Sequence, residues 1–153
     1  MKIVEAMDSD IPVVADLFRE YQKWLGIDLC FQGFEQELVE LPGCYAAPKG
    51  CIFLAQIKQQ SVGCVAVRPR AESESELKRL YVRPEFQGQG IGKNLFLAAM
   101  NKAKEIGYDS IVLDTLPSMQ VAQLLYRDFG FVKTQAYCHN PLSGVEYYRY
   151  EFK

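Results

Sequence analysis

The run over residues 76–107 limits this chain more than any other part of it. An apolar segment closed by a proline is followed by a loop with three glycines at alternate positions and then by a long amphipathic stretch. Leu77, Leu80 and Val82 predict a strand that Pro84 ends. Ile91, Leu95, Ala99, Ala103 and Ile106 then recur at helical spacing until Gly107 stops the pattern. Gly88, Gly90 and Gly92 therefore stand at the N-terminus of a helix.

That position has chemical content. The first turn of a helix carries backbone N–H groups without intrahelical partners and the positive end of the dipole, so it suits an anion, most naturally a phosphate. Glycines there let successive amides curl into a nest that a pyrophosphate approaches closely, and Lys93 adds positive charge beside it. The bland alternative is a glycine-rich turn with no ligand, but ordinary turns seldom need three alternating glycines. Two common phosphate loops do not fit. A P-loop needs glycine where Gln87 stands and Ser or Thr where Asn94 stands, and a dinucleotide fingerprint begun at Gly88 needs glycine where Lys93 stands.

The pattern that fits is Gln/Arg-x-x-Gly-x-Gly/Ala, met by Gln87, Gly90 and Gly92 and preceded by a strand ending Leu-Tyr-Val-x-Pro-Glu. It resembles motif A of the GNAT superfamily of N-acetyltransferases. Downstream, the run from Ala122 through Tyr126 and Gly130 to Phe131 resembles the last helix of that family and the start of its next strand. With compatible element order, the resemblance covers nearly the whole chain. It implies acetyl-CoA as cosubstrate, with its pyrophosphate on the loop Gln87, Gly88, Gln89, Gly90, Ile91, Gly92 and Lys93. It also implies pantetheine and thioester contacts along Leu80, Tyr81 and Val82, chiefly through the amides of Leu80 and Val82.

Length and composition set the bounds. At 153 residues, 49% hydrophobic and 24% charged, the chain is expected to form a single domain over residues 1–153 with a real core. A net charge of -2 argues against nucleic acid as the main partner, since no basic excess is available for phosphates. The absence of a signal peptide, an apolar span or a lipidation motif predicts a cytoplasmic protein that does not engage membranes. Cys30, Cys44, Cys51, Cys64 and Cys138 are odd in number and lack C-x-x-C spacing, so reduced thiols are expected. With His139 the one histidine, neither a metal site nor a cysteine nucleophile has support.

In chain order, a strand is expected over residues 2–7 and a helix from Asp8-Ser9 to Leu25, ended by Gly26. Trp24 lies beside the apolar stripe of that helix, either as core or as a wall of the acceptor pocket. Residues 26–50 are irregular apart from a helical piece over 34–41. Strands over 51–58 and 61–68 form a hairpin about Gln59-Gln60, and the polar stretch 69–75 reads as a solvated loop. The strand over 108–115 follows the glycine-loop helix and is therefore parallel to the 76–82 strand. Ser118 is the expected N-cap of a last helix, and strands over 131–137 and 145–152 close the chain. The fold class is α/β, GNAT-like: a mixed, twisted sheet of six to seven strands with about four helices, splayed between the fourth and fifth strands. An exposed final strand, residues 145–152, offers a possible route to a homodimer.

Four residues or groups carry the expected chemistry. Tyr126 holds the place of the family's general acid, whose proton goes to the departing thiolate; a core aromatic is its bland reading. Glu76, eleven residues before Gln87, matches the carboxylate base of histone-type members. A water chain in place of a single base and a merely solvated charge stay open for it. Relatives commonly carry an asparagine seven residues before the tyrosine, where this chain has Met119 flanked by Ser118 and Gln120. Arg68, Arg70, Lys78 or Arg79 could receive an acceptor carboxylate. The function so implied is acetyl transfer to a primary amine, of a small molecule such as an amino acid or amine metabolite. A protein lysine or N-terminal acetyltransferase and a non-catalytic CoA-binding sensor are the alternatives.

Overall fold

The computed structural model describes residues 1–29 and 33–153. Cys30, one of the thiols expected to be reduced, lies outside the described residues. The strands are β1 (Lys2–Glu5), β2 (Cys51–Ile57), β3 (Gln60–Ala71), β4 (Glu74–Val82), β5 (Ser110–Thr115), β6 (Val132–Thr134) and β7 (Glu146–Glu151). The helices are α1 (Ile11–Leu25), α2 (Phe34–Glu40), α3 (Ile91–Ile106) and α4 (Gln120–Phe129). They build one seven-stranded sheet in the order β1-β2-β3-β4-β5-β7-β6. All neighbouring pairs are antiparallel except β4 and β5, which the α3 crossover makes parallel.

Alternation along β2 and β3 sends side chains to two cores. Cys51, Ala55, Val65 and Val67 pack with α3 and α4, while Ile52, Leu54, Cys64 and Ala66 pack with α1 and α2. Leu17 and Phe18 of α1 and Leu95 and Phe96 of α3 are wholly buried. Each such side chain contributes roughly 1.5–3 kcal/mol. The helix ends expected at Gly26 and Gly107 are observed, both glycines taking left-handed φ.

The part of β4 that has left β5 carries a bulge. Cys64 pairs with Tyr81 and Ala66 with Lys78, so β4 spends one residue more than β3 over the same stretch. The extra residue is a bulge centred near Arg79, whose φ of 61° is left-handed. A non-glycine residue there is strained and persists only when its surroundings over-determine it. Glu37 of α2 does so: its carboxylate accepts from Arg79 Nε at 3.0 Å and Nη2 at 2.9 Å, and Tyr45 adds a hydroxyl bond at 2.9 Å. The guanidinium also lies over the Phe34 ring. The pairing of β4 with β5 runs only from Glu74–Ser110 to Glu76–Val112, so the bulge lies within the stretch of β4 that has already parted from β5.

This buried ion pair predicts its own mutational cost. Glu37→Ala should lower the unfolding free energy by about 3–5 kcal/mol in a urea titration, because Arg79 keeps its charge in a buried site after the carboxylate is gone.

Several sequence expectations are corrected. Residues 69–75 are not a solvated loop: Pro69 pairs with Ser75 and Ala71 with Glu74, because Glu74 is held by Arg70 and Arg149. The β2–β3 turn sits at Lys58-Gln59, both with positive φ, one residue earlier than expected. The last helix starts at Gln120 with Met119 at its N-cap, rather than at Ser118. The expected strand over 131–137 shrinks to Val132–Thr134. The final strand β7 is bonded to β5 on one side and, over Tyr147–Arg149, to the short β6 on the other, so β6 and not β7 is the last strand of the sheet.

Candidate active site

The glycine loop takes the form its sequence demands. Gly88 and Gly90 have φ of 82° and 80°, and a Cβ added to either would meet nothing within 4 Å. Their open side therefore faces a space that the protein leaves clear. The first bond inside α3 runs from the Asn94 N–H to the Gly90 carbonyl, so the amides of Ile91, Gly92 and Lys93 precede the intrahelical ladder. Gln87 turns back, and its side-chain amide donates to the Val82 carbonyl at 2.9 Å. That bond ties the loop to the end of β4 and leaves the Gln87 side chain as a brace.

Along β4 the Arg83 N–H donates to the Val62 carbonyl, on the β3 side. Strand alternation then turns the amides of Val82 and Leu80 to the opposite edge, where β5 has departed. Leu80 is half-buried and lines the gap. The Tyr81 side chain points away from it, toward α1, where it meets Tyr21 and Trp24. Trp24 is 44% exposed and lines neither cavity described below, so the acceptor-pocket reading of its ring has no support in the geometry.

Between the parted strands lies a narrow cavity of about 50 Å³, bounded among others by Leu80, Asp114, Thr115, Met119 and Tyr126. Tyr126 is buried, with its ring among Phe96, Phe131 and Tyr148. Burial, with Tyr21 and Asp114 adding to it, pushes its phenol well above the ordinary range, so it stays protonated. The Thr115 hydroxyl in the same cavity is buried and has no hydrogen-bond partner among the described residues.

A wider cavity of about 370 Å³ adjoins it, bounded by Arg68, Arg70, Glu76, Lys78, Asp114 and the segment from Tyr137 to Asn140. Lys78, Asp114 and Asn140 face both spaces and mark where they meet. Glu76 is engaged on both oxygens. One accepts from Arg68 Nε at 2.9 Å, the other from the Tyr137 hydroxyl at 2.7 Å, with Lys78 Nζ at 3.9 Å. Burial alone would raise this carboxyl, but Lys78, Arg68 and the Tyr137 bond outweigh it and hold it below the usual range.

Asp114 is the residue that sequence reasoning missed. Burial pushes its carboxyl up, opposed by Lys78 and reinforced by Glu76, with Arg79 and Arg68 also opposing. It faces the junction of the two cavities. The available signal was a single acid closing an otherwise apolar strand, Ile111-Val112-Leu113-Asp114. Tyr137 and Asn140 had no such signal, because they lie in an irregular segment.

A model of the GNAT acetyltransferase family matches residues 14–131. The chain belongs to the GNAT family. An uncharacterized N-acetyltransferase of Schizosaccharomyces pombe is 40% identical over 147 residues, covering 95% of this GNAT chain and 90% of that protein. A solved GNAT acetyltransferase from Staphylococcus aureus superposes with a TM-score of 0.81 at 24% identity, covering 99% of both chains. A GNAT acetyltransferase from Elizabethkingia anophelis, solved with acetyl-CoA bound, superposes with a TM-score of 0.71 at 23% identity, covering 99% of this chain and 97% of that one.

This GNAT chain is an acetyl-CoA-dependent N-acetyltransferase. Its residues fit that cosubstrate: two open left-handed glycines at a helix N-terminus and, among the described residues, a β4 edge that has no strand partner past Glu76 and a Thr115 hydroxyl without a hydrogen-bond partner in the gap between strands. Among the described residues, no group of three or more His, Cys, Asp and Glu could hold a metal ion. No helix among them is long and apolar enough to cross a membrane.

Proposed function

We propose that this GNAT enzyme acetylates the primary amine of a small molecule, by direct attack in a ternary complex. The observation that carries the reading is the shape of the acceptor space. It is a pocket of about 370 Å³ walled by the Tyr137 to Asn140 segment across from β3 and β4, on the scale of a small ligand. Among the described residues of 26–50, Leu29 reaches the narrow cavity next door.

Acetyl-CoA supplies the activated acyl group and a thiol leaving group. The chain's own residues supply the rest. The amides of Gly88 through Lys93 hold the pyrophosphate, and those of Leu80 and Val82 fix the pantetheine arm and the thioester carbonyl in the strand gap. An amine like that of lysine has a pKa of about 10.4 and arrives protonated at neutral pH. Asp114 accepts that proton at the cavity junction; its raised carboxyl is a better base than an ordinary one. Glu76, with both oxygens taken and its carboxyl held down, serves to fix Arg68 and Tyr137 and is a poor base. Tyr126 gives its proton to the departing sulfur. Burial raises the phenol, and it raises a thiolate's basicity in the same space, so donor and acceptor remain matched.

Two measurements test this. Thiol release from acetyl-CoA across a panel of small primary amines should find at least one turned over; no turnover with any of them despite acetyl-CoA binding would remove the reading. Asp114→Asn should lower kcat/KM by about 10²-fold or more, the scale of a lost general base. In the parent enzyme kcat/KM should rise with pH through an apparent pKa above that of an ordinary aspartate, because the deprotonated form is the active one; in the variant that rise should vanish.

A further inference from the structure

The acceptor's amine, on the reading just given, stands at the junction of the two cavities beside Asp114. Whatever else the acceptor carries must extend outward into the wider cavity, because the narrow one belongs to the thioester. Lys78 of β4 stands at the junction itself, and the charged groups that line only the wider cavity include Arg68 and Arg70, two residues apart on β3.

Cations outnumber carboxylates in the lining of this space. Arg68, Arg70 and Lys78 face it against Glu76 and Asp114. Glu76 is committed to Arg68 and Tyr137. Arg70 meets its own counterion, Glu74, at 2.7 Å outside the cavity wall, and Glu74 also serves Arg149. Asp114 is turned to the amine.

Both guanidiniums are also set in place before any ligand arrives. Arg68 is fixed by two bonds to Glu76, at 2.9 Å each. Arg70 is fixed by Glu74, by the Tyr137 carbonyl at 2.8 Å, and by lying 4.6 Å from the centre of the Tyr137 ring. A guanidinium has five N–H donors, so each keeps donors beyond these bonds. Fixed donors on a cationic wall lose little entropy when an anion docks.

We propose that the acceptor is an amine that also carries an anionic group, in the simplest case a carboxylate, which docks on Arg68 and Arg70 while the amine faces Asp114. This favours amino-acid-like acceptors over polyamines and other purely cationic amines, which the positive wall repels. Arg79, also a candidate from sequence, is excluded from this role, because it lies outside the wider cavity and is clasped by Glu37.

The test uses matched pairs: phenylalanine with phenethylamine, leucine with isoamylamine, and each amino acid with its amide. The carboxylate member should have a kcat/KM at least about tenfold higher, the lower end of what a hydrogen bond to a charged group is worth. Arg70→Gln should bring that ratio toward one, and Arg70→Lys should restore part of it; Arg68 is left alone because its loss would strand Glu76. In parallel, calorimetry on the CoA complex compares N-acetylphenylalanine with N-acetylphenethylamine, which needs no turnover. Tighter binding of the carboxylate form, weakened in Arg70→Gln, is the expected result. Equal treatment of the pair members in both assays, or a preference that Arg70→Gln leaves intact, overturns the proposal even where turnover upholds the transferase reading. Selective carboxylate binding without turnover of any amine would instead overturn that reading and leave the anion site standing.

Discussion

Tyr126→Phe should lower kcat by at least tenfold and toward a hundredfold, with the Kd for acetyl-CoA changed by no more than about twofold. The change removes one oxygen from a ring whose packing among Phe96, Phe131 and Tyr148 is otherwise kept. Phenylalanine suits that aromatic cluster, so the fold should hold, and the melting temperature should stay within a few degrees. The lost proton must then come from water, which the narrow cavity admits poorly. Loss of turnover together with loss of acetyl-CoA affinity would mean that Tyr126 shapes the cosubstrate site instead. An unchanged kcat would mean that the sulfur is protonated from elsewhere. Stopped-flow turnover paired with calorimetric binding distinguishes the three outcomes.

Gly90→Val should weaken acetyl-CoA binding by about tenfold to a hundredfold, as expected when one charge-assisted hydrogen bond of roughly 1.5–3 kcal/mol is lost. Two effects act together. The φ of 80° is one that a β-branched residue resists, and the side chain would project into space that the protein leaves open. Since the added Cβ meets no protein atom within 4 Å, a clash inside the fold is not the cause. Gly90→Ala carries most of the backbone strain with little of the bulk and should fall between parent and valine variant. A valine variant with parental affinity would show that the phosphates lie elsewhere.

Much of this was legible in the sequence because the relevant signals are local. Helical spacing from Ile91 to Ile106 and the glycine at 107 fixed α3, and three alternating glycines at its N-terminus raised the expectation of an anion site there. The parallel neighbour of β4 followed from the length of the crossover. The gap between β4 and β5 was expected from the family resemblance alone. The bulge at Arg79 in the parted stretch, held by Glu37 from 42 positions away, depends on a long-range pair that periodicity cannot register. Polarity misled at residues 69–75, where Glu74 looked solvated but is paired with Arg70 and Arg149. The same blindness affected Glu76. As a sequence position it resembled a base, while its two oxygens turn out to be occupied by Arg68 and by Tyr137, a residue 61 positions away. Asp114 was passed over as a strand residue because nothing nearby in sequence announces that its strand has lost a neighbour.

Amide hydrogen exchange with and without acetyl-CoA tests the central claim most directly, since it reads the backbone donors themselves. Saturating acetyl-CoA should slow exchange at Gly88 through Lys93 and at Leu80 and Val82, with α1 and β1 changed little. Protection confined to other segments, or none at all at saturating cosubstrate, would contradict a diphosphate held on the first turn of α3 and a thioester arm lying along β4.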